Sequence, residues 1–150
     1  MNQKNSKKPR IFIDKEGNWF QDGLPVLHRW TYLYNNKLVD IDDEGVYFID
    51  EGRGRVYIEV EDTPFVIKNI DLRSDGLYLI LNDETQEKLG SDTIYLNASN
   101  IPYVKVKDGR FDARFCRAAY YEIMKMLETE NEKYYLDTGS ERIKVQRSTE

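Results

Sequence analysis

Short alternating runs of apolar and polar residues dominate the chain and predict a fold built mainly of β-strands. Residues 65–72 and 77–82 are two such runs on either side of Ser-Asp-Gly, which predicts a β-hairpin. The second run contains Leu-Tyr-Leu-Ile-Leu and is apolar on both faces, as is typical of a strand inside a sheet. Shorter strands are expected at 11–14, 93–96 and 103–107.

Two segments have the period of an amphipathic helix. The first is expected to begin near Pro25, since proline suits the first helical turn, and to end near Lys37. Its apolar residues share one face and are Leu27, Trp30, Tyr34 and Leu38. The second helix is expected to begin at Asp112, a residue type favoured as an N-cap, and to end near residue 128.

The order of these elements occurs twice along the chain. YFIDEGRGRVYIE at 47–59 and YYLDTGSERIKVQ at 134–146 place Asp, Gly and Arg at the same spacing. KEGNW at 15–19 likewise matches KDGRF at 107–111. These matches predict an α+β fold made of two repeated β-hairpin–helix–β-hairpin units with extra antiparallel strands between them. Chance recurrence of common Asp-Gly turns is the alternative.

The repeat also predicts how the chain is divided. Residues 1–10 are polar and basic, and we expect them to form a disordered tail. Residues 11–100 would contain the first repeat unit and its strand-rich extension. Residues 101–150 would contain the second repeat unit.

The composition of the chain excludes several classes of protein function. The net charge of −5 argues against a nucleic-acid-binding surface, which needs clustered Lys and Arg. No apolar run approaches the length of a membrane helix, and the polar N-terminus lacks the apolar core of a signal peptide. Because Cys116 is the single cysteine, a reducing compartment is expected. The sequence therefore predicts a cytoplasmic protein without nucleic-acid or membrane partners.

Three segments of the chain together resemble the bacterial family called domain of unknown function 1285 (DUF1285). The segments are FIDKEGNWFQDGLPVLHR, VYIEVEDTPFVI and ARFCRAAYYEIMK. The pattern of that family has a strand, Asp-x-x-Gly-x-Trp, a Pro, an Arg at the helix, Val-Glu-Asp-x-Pro-Phe, and an Arg-led helix with paired tyrosines. The matching residues are Asp14, Gly17, Trp19, Pro25, Arg29, Val60 to Phe65, Arg117, Tyr120 and Tyr121. The resemblance covers nearly the whole chain after residue 10.

The resemblance has one departure. The family usually has Thr-Pro-Val-Glu-Lys before the strand that leads to Val-Glu-Asp, whereas this chain has DEGRGR at 50–55. A role attached to that segment is therefore not carried over. The resemblance implies an α+β fold with repeated motifs and a part in signalling, and it implies no known reaction.

An acidic segment, DIDDEGVYFIDE at 40–51, matches the spacing of an EF-hand calcium loop. Its oxygen ligands would come from Asp40, Asp42, Glu44 and Glu51. However, Tyr47 replaces the usual small aliphatic residue, and a strand pattern follows where an EF-hand has a helix. We therefore favour an ordinary acidic turn over a metal site. No cofactor is expected.

Two adjacent carboxylates, Glu61 and Asp62, precede Thr-Pro-Phe. Turn chemistry explains most of this segment as a bend that returns the chain to the core. The alternative is that the pair binds a cation or an amine. Adjacent strand residues point to opposite faces, so the two would act together only if the bend brings them to one side.

Arg29 and Arg117 lead the two predicted helices at equivalent places. Because a cation near a helix N-terminus opposes the helix dipole, each Arg is expected to have a specific partner. An internal carboxylate is the favoured partner, and an anionic ligand is the alternative.

The sequence predicts no catalytic centre. Cys116 lies on an apolar helical face, which indicates core packing, and His28 has no second His or Cys near it for a zinc site. We therefore expect a non-catalytic domain that binds a small molecule or another protein. Its candidate ligand-binding residues are Trp19, Arg29, Glu61, Asp62, Arg117 and Tyr121. The alternative is a small acid/base hydrolase that uses Glu61 or Asp62.

Overall fold

The structure is a computed structural model, and it describes residues 9–148. The chain divides into two compact units, Met1–Pro64 and Phe65–Glu150. Residues 1–8 of the predicted tail lie outside the described part. The division by contacts falls after Pro64, whereas the predicted boundary after residue 100 follows the repeat in the sequence and stays a prediction.

The first unit carries two small sheets and one helix in its described residues. One sheet has the strand order β3-β2-β1-β7, in which β7 runs parallel to β1 and the other pairs are antiparallel. The other sheet is an antiparallel meander, β4-β5-β6. The elements are β1 (Ile11–Ile13), β2 (Trp19–Gln21), β3 (Leu24–Pro25), α1 (Arg29–Lys37), β4 (Val39–Ile41), β5 (Tyr47–Asp50), β6 (Arg55–Tyr57) and β7 (Glu59–Val60).

The second unit is built on a nine-stranded sheet that α2 accompanies. The strand order is β10-β9-β8-β13-β12-β11-β16-β15-β14, with parallel pairs at β8–β13 and β11–β16. The elements are β8 (Phe65–Arg73), β9 (Gly76–Leu81), β10 (Gln86–Lys88), β11 (Ile94–Leu96), β12 (Pro102–Val106), β13 (Phe111–Phe115), α2 (Arg117–Met124), β14 (Leu127–Glu130), β15 (Lys133–Asp137) and β16 (Arg142–Arg147).

These elements make the fold α+β, as the sequence predicted. The hairpin predicted from 65–72 and 77–82 is present as β8 and β9. Neither helix of residues 9–148 is long and apolar enough to cross a membrane.

The core of the second unit follows the alternation of its strands. Leu77, Leu79 and Leu81 of β9 are buried, and so are Val104 and Val106 of β12. Each fully buried side chain of this kind stabilises the fold by about 1.5–3 kcal/mol. Helix α2 adds Ala119 and Ile123 to the buried set. The first unit buries a smaller group, namely Ile13, Trp19, Val39, Phe48, Ile49 and Ile58.

The predicted start of the second helix is wrong. Asp112 does not cap a helix but lies in β13, and α2 begins at Arg117 after the extended residue Cys116. Residues in β13 alternate between buried and half-buried, which is the period of a strand. This strand is paired on both sides, with β12 and with β8, and that tertiary pairing overrides the helix propensity of its Ala and Arg residues.

The predicted start of the first helix is also wrong. Pro25 belongs to β3, where it pairs with Phe20, and α1 begins at Arg29. A proline cannot donate to a neighbouring strand, so it is tolerated on an edge strand such as this one. The N–H of Val26 then donates to the carbonyl of Trp19 at 2.8 Å, which extends the contact by one residue.

The two hairpins with the recurring sequence share their turn geometry. The carboxylate of Asp50 accepts a hydrogen bond from the N–H of Gly52 at 2.7 Å. The carboxylate of Asp137 accepts one from the N–H of Gly139 at 2.9 Å. Both glycines have a positive φ, 99° and 86°, which a side chain would oppose.

The arginines of these hairpins also occupy matching positions. Arg55 lies opposite Asp50 across the turn, and Arg142 lies opposite Asp137. The guanidinium of Arg55 lies 4.2 Å from the ring centroid of Phe48, and that of Arg142 lies 4.1 Å from Tyr135. These contacts explain locally why the same sequence pattern occurs twice.

A single turn design joins three of the hairpins. In each, one Asp or Asn side chain accepts hydrogen bonds from the N–H groups two and four residues later, at 2.9–3.0 Å. The fourth residue of each turn has a left-handed backbone. The capping residues are Asp14, Asp42 and Asn97, and the left-handed residues are Gly17, Gly45 and Asn100.

Candidate binding surface

Four large apolar side chains of the first unit are exposed within residues 24–34, from β3 to the middle of α1. Their exposed fractions are 71% for Leu24, 82% for Leu27, 68% for Trp30 and 52% for Tyr34. We call this set the apolar stripe. Exposed apolar residues scattered singly are normal, but four of them within residues 24–34, one of which is Trp, are typical of an interaction site.

Helix α1 differs from an ordinary amphipathic helix in the side that it exposes. A surface helix normally buries its apolar face, yet Trp30 and Tyr34 point to solvent, and the one fully buried residue of α1 is Asn36. The side chain of Asn36 donates from Nδ2 to the carbonyl of Tyr32 at 3.0 Å. The amphipathic period thus located a helix but not the face that is buried.

The second helix provides a comparison within the same chain. Aligning Arg29 with Arg117 places Trp30 opposite Ala118 and Tyr34 opposite Glu122. Ala118 and Glu122 are also exposed, but exposure of an alanine or a glutamate leaves no large apolar side chain in water. At these two positions only α1 therefore has exposed aromatics, whereas the exposed aromatic of α2, Tyr121, lies at another position of its helix.

Cationic groups accompany the apolar stripe. The guanidinium of Arg29 lies 5.2 Å from the ring centroid of Trp30, within the range of a cation–π interaction. Lys37 lies in the last turn of α1. The first turn contains no acidic residue, and the N-cap residue, His28, makes no capping hydrogen bond.

A concave feature, separate from the apolar stripe, lies on the outer face of the four-stranded sheet. Alternation places Phe12, Phe20 and Glu59 on the same side, since Phe12 pairs with both of the others. The two rings lie 6.0 Å apart and form the floor of an open groove of about 640 Å³. A volume of this size is within the range of small-molecule sites. Pro9, Arg10, Asp22 and Gly23 complete its lining.

An ion pair forms part of the lining of this sheet groove. Arg10 donates from Nε and Nη2 to the two carboxylate oxygens of Asp22, at 2.8 and 2.7 Å. The hydrogen bonds from Arg10 lower the pKa of Asp22, and the same hydrogen bonds raise the pKa of Arg10. Among residues 9–148 the carboxylate of Glu59 has neither a hydrogen-bond partner nor an ion-pair partner. The groove therefore combines an aromatic floor with one carboxylate, that of Glu59, which has no partner among the described residues.

Three of the predicted ligand-binding residues lie in the first unit near the end of β1. Trp19 is buried opposite Ile13, and its Nε1 has no hydrogen-bond partner in the described part of the chain. Glu61 is exposed, and its carboxylate accepts a hydrogen bond from the N–H of Lys15 at 2.9 Å. Asp62 is half-buried in the bend that leads to the buried residue Phe65.

The other three predicted ligand-binding residues are Arg29, Arg117 and Tyr121. Arg29 lies beside the apolar stripe in the first unit. Arg117 begins α2 in the second unit, and Tyr121 is exposed one turn later with its ring 5.5 Å from that of Tyr120. As a ligand site, the six residues stay a prediction.

The acidic segment at 40–51 forms a β-hairpin, β4–turn–β5, and not a helix–loop–helix. Asp42 uses one carboxylate oxygen to accept from the N–H groups of Glu44 and Val46. Asp40 accepts from the N–H of Ile41 at 2.9 Å. Within residues 9–148, no group of three or more His, Cys, Asp or Glu side chains is placed to hold a metal ion, so Glu51 does not join the others in such a group.

Cys116 is buried at the start of α2. Its Sγ donates to the carbonyl of Lys68 at 3.4 Å. A buried thiol between a strand and a helix acts as a small apolar side chain, as the sequence predicted.

Three residues of the apolar stripe, Leu27, Trp30 and Tyr34, are residues that the sequence analysis placed on a helix but did not single out as functional. One signal was available, because α1 has apolar residues on two faces. Leu33 and Tyr32 are half-buried on one side, while Trp30 and Tyr34 are exposed on the other. A helix of nine residues cannot bury both faces against one sheet.

No protein-family model matches the chain, and no curated protein matches it. Two solved structures do match its fold. A DUF1285 family protein from Silicibacter pomeroyi DSS-3 superposes with a TM-score of 0.72 at 18% identity, covering 97% of this chain and 87% of that one. The chain has the fold of DUF1285 family proteins.

A second DUF1285 family protein, from Shewanella baltica OS155, superposes with a TM-score of 0.64 at 18% identity. The match covers 78% of this chain and 91% of that protein. The resemblance to DUF1285 that the sequence predicted is thereby confirmed at the level of the fold. The function of the DUF1285 proteins is not defined by their name, so function must be argued from the side chains.

Proposed function

We propose that this chain is a non-catalytic binding domain that recognises another protein through the apolar stripe. The supporting observation is the exposure of Trp30 and Tyr34 on a helix whose counterpart carries Ala118 and Glu122 at the same places. Trp and Tyr are enriched among residues that dominate binding energy, because they offer a large apolar area at a low entropic cost.

The chain offers a matched control for this proposal. The double variant Trp30→Ala, Tyr34→Glu gives α1 the residues that α2 already carries in solvent. Since both side chains are exposed, we expect the free energy of unfolding to change by less than about 0.5 kcal/mol. Binding, however, should weaken at least about 30-fold, because a Trp hot spot contributes about 2 kcal/mol or more.

A displayed peptide library tests the proposal and does not require that the partner be identified first. Selection on the wild-type chain should enrich peptides that no longer bind the double variant. Enriched peptides that bind both proteins equally, or a selection that enriches none, would refute the proposal. The fluorescence of Trp30 gives a second readout, since the only other tryptophan, Trp19, is already buried.

A second candidate function, small-molecule binding, is supported by the sheet groove. Its aromatic floor and the carboxylate of Glu59 suit a ligand with an aromatic body and a protonated amine. Titration with 2-phenylethylamine should shift the NMR signals of Phe12 and Phe20, whereas neutral 2-phenylethanol should not. Equal shifts with both compounds, or unchanged binding in Glu59→Gln, would count against this function.

The resemblance to DUF1285 adds a part in signalling to the proposal, and the single cysteine, Cys116, adds a cytoplasmic location. A binding domain without a catalytic centre is the kind of module that relays a signal by recruiting a partner. Co-localisation with a partner captured through the apolar stripe tests both expectations. A chain found outside the cytoplasm would remove the second of them.

We also propose that the two hairpin–helix–hairpin units are structural copies. The matching turns at Gly52 and Gly139 and the matching arginines above aromatic rings support this. On this proposal, the features that both units share stabilise the fold, and the binding function depends on residues that differ between the units. The apolar stripe is one such difference.

A further inference from the structure

Three Asp-Gly pairs occur in the chain, at 22–23, 75–76 and 108–109, and each lies at a turn between two strands. An Asp that precedes Gly is the one most able to react with its own main chain, because glycine has no side chain to hinder the approach. No Asn precedes a Gly anywhere in the sequence. The three pairs therefore differ from one another only in how the fold holds them.

Hydrogen bonds hold two of the three Asp side chains. Asp22 accepts from Arg10 at 2.8 and 2.7 Å, and Asp75 accepts from the hydroxyl of Tyr78 at 2.8 Å. These hydrogen bonds lower the pKa of both carboxyls and so keep them ionised. A carboxylate is a poorer electrophile than a carboxylic acid. In the second of these pairs the glycine, Gly76, is also buried, which protects its backbone N–H.

The third pair, Asp108 and Gly109, forms the centre of an exposed turn between β12 and β13. Their φ values are 59° and 80°, as a type I′ turn requires, and the N–H of Arg110 donates to the carbonyl of Lys107 at 3.2 Å across it. In the described part of the chain the Asp108 carboxylate has no hydrogen-bond or ion-pair partner, and the N–H of Gly109 donates no hydrogen bond. Rotation about the Cα–Cβ bond of Asp108 thus brings Cγ to the N atom of Gly109 without breaking any such contact.

We propose that Asp108 is a site of spontaneous backbone modification, at which the folded chain converts aspartate into isoaspartate. The N atom of Gly109 attacks Cγ of Asp108, a C–N bond forms, and the N–H proton leaves with the carboxyl O–H as water. Water then opens the resulting succinimide ring at either carbonyl. Opening at the main-chain carbonyl of Asp108 leaves isoaspartate, in which Gly109 is joined to the former side-chain carbon. The water released in the first step is taken up again in the second, so no other reactant is needed.

Isoaspartate changes the turn because it adds an atom to the main chain. The hydrogen bond between Arg110 and Lys107 then loses its present geometry. The side chain of Lys107 also donates to Asp83 at 2.7 Å and to Thr85 at 3.0 Å, so this turn is tied to the segment between β9 and β10. We expect the modification to loosen these contacts and to lower the stability of the second unit.

Prolonged incubation of the purified chain in neutral buffer tests the proposal. Peptide mapping by mass spectrometry with electron-transfer fragmentation distinguishes isoaspartate from aspartate at each position. In the folded chain, isoaspartate should accumulate at Asp108 several-fold faster than at Asp22 or Asp75. In urea the three positions should react at similar rates, because the contacts that hold Asp22 and Asp75 are lost on unfolding.

Two variants separate the reacting group from its surroundings. Asp108→Gly removes the attacked carboxyl but suits a type I′ turn, so this turn should form no isoaspartate. The melting temperature of this variant should stay constant during incubation, whereas that of the wild-type chain should fall. Arg10→Gln frees the side chain of Asp22 and should raise isoaspartate there several-fold, with no change at Asp108.

Other outcomes would overturn the proposal. Folded chain that forms no isoaspartate at Asp108, or as much at Asp22 or Asp75, is incompatible with it. A preference for Asp108 that persists unchanged in urea would come from the neighbouring sequence, and the role given to the folded contacts would be wrong. A melting temperature of the wild-type chain that stays constant while isoaspartate accumulates would refute the effect on the turn.

Discussion

Asp42 shows how one side chain fixes a hairpin. Its carboxylate accepts two backbone N–H groups, while Gly45 supplies the left-handed residue that closes the turn. Asp14 does the same in the first hairpin, and Asn97 does it with an amide oxygen. An Asn in the same role means that the turn needs an acceptor and not a negative charge.

Substitution of Asp42 therefore separates a turn cap from a calcium ligand. Asp42→Ala should lower the free energy of unfolding by about 1–2 kcal/mol, since two hydrogen bonds are lost. Asp42→Asn should change it far less, because Asn97 already caps such a turn. Urea denaturation with and without calcium measures both; a loss in Asp42→Asn that appears only with calcium would support a metal site instead.

The pair formed by Arg10 and Asp22 predicts a dependence on pH. Because Arg10 lowers the pKa of Asp22, the carboxylate is held charged in the folded protein. The resulting stabilisation is present above the ordinary pKa of Asp, about 3.9, and is lost as the pH falls through the lower folded-state pKa. Asp22→Asn should thus be less stable than wild type at neutral pH, and this difference should vanish in acid.

Asn is a suitable replacement at this position because Asp22 has a φ of 52°, a conformation that Asn tolerates. The pKa of Asp22 can be measured directly from the NMR shift of its carboxyl carbon. In Arg10→Gln that pKa should rise towards its ordinary value. An unchanged pKa in this variant would mean that the ion pair does not form in solution.

At the scale of elements, the β5–β6 and β15–β16 hairpins have the same turn geometry. Gly52 and Gly139 occupy equivalent places, and a Cβ built on either meets no atom within 4 Å. The cost of a side chain there is consequently backbone strain and not a clash. This makes the pair a direct test of whether the two hairpins are energetically alike.

Gly52→Ala and Gly139→Ala should each destabilise the fold by about 1–2 kcal/mol, the cost of a left-handed backbone for a residue with a Cβ. Thermal denaturation of the two variants gives the comparison. A large loss in one variant and none in the other would contradict the proposal that the units are structural copies.

The turn between β14 and β15 contains a residue whose backbone conformation is unfavourable for its type. Asn131 and Glu132 form its two-residue loop with φ values of 53° and 66°, as a type I′ turn requires. Asn adopts this conformation at a lower cost than Glu does. Glu132→Gly should therefore raise the free energy of unfolding by about 0.5–1 kcal/mol.

Asn131→Gly is the matched control for this variant, and it should stabilise less. Chemical denaturation at neutral pH measures both. If Glu132→Gly is neutral or destabilising, the strain is not present and the turn adopts another geometry.

At the scale of the whole molecule, burial is distributed unevenly. The middle of the nine-stranded sheet contains fully buried residues such as Val66, Ile67, Val104 and Ala113. Helix α1, in contrast, buries only Asn36. A helix that carries little buried apolar area opens at low cost.

Hydrogen exchange should reveal this difference. We expect the amides of α1 to exchange far faster than those of β8, β12 and β13, and the slowest amides to lie in these three strands. Peptide-level mass spectrometry resolves the two regions. Protection of α1 equal to that of β12 would show that the apolar stripe is covered in solution and would weaken the proposed binding surface.

The sequence by itself determined features that depend on near neighbours. Periodicity located the β8–β9 hairpin, and the Asp-x-Gly pattern located the recurring turns at Gly52 and Gly139. The resemblance to DUF1285 predicted the fold. These predictions were possible because turn geometry and strand alternation are determined by residues close together in the sequence.

Tertiary structure decided what depends on distant strands. Asp112 lies in a strand because β8 and β12 pair with β13 on both sides, and Pro25 lies in an edge strand because β2 is beside it. The same holds for the candidate site. Periodicity groups Leu27, Trp30 and Tyr34 on one face of a helix, but only the packing of the rest of the chain leaves that face in water.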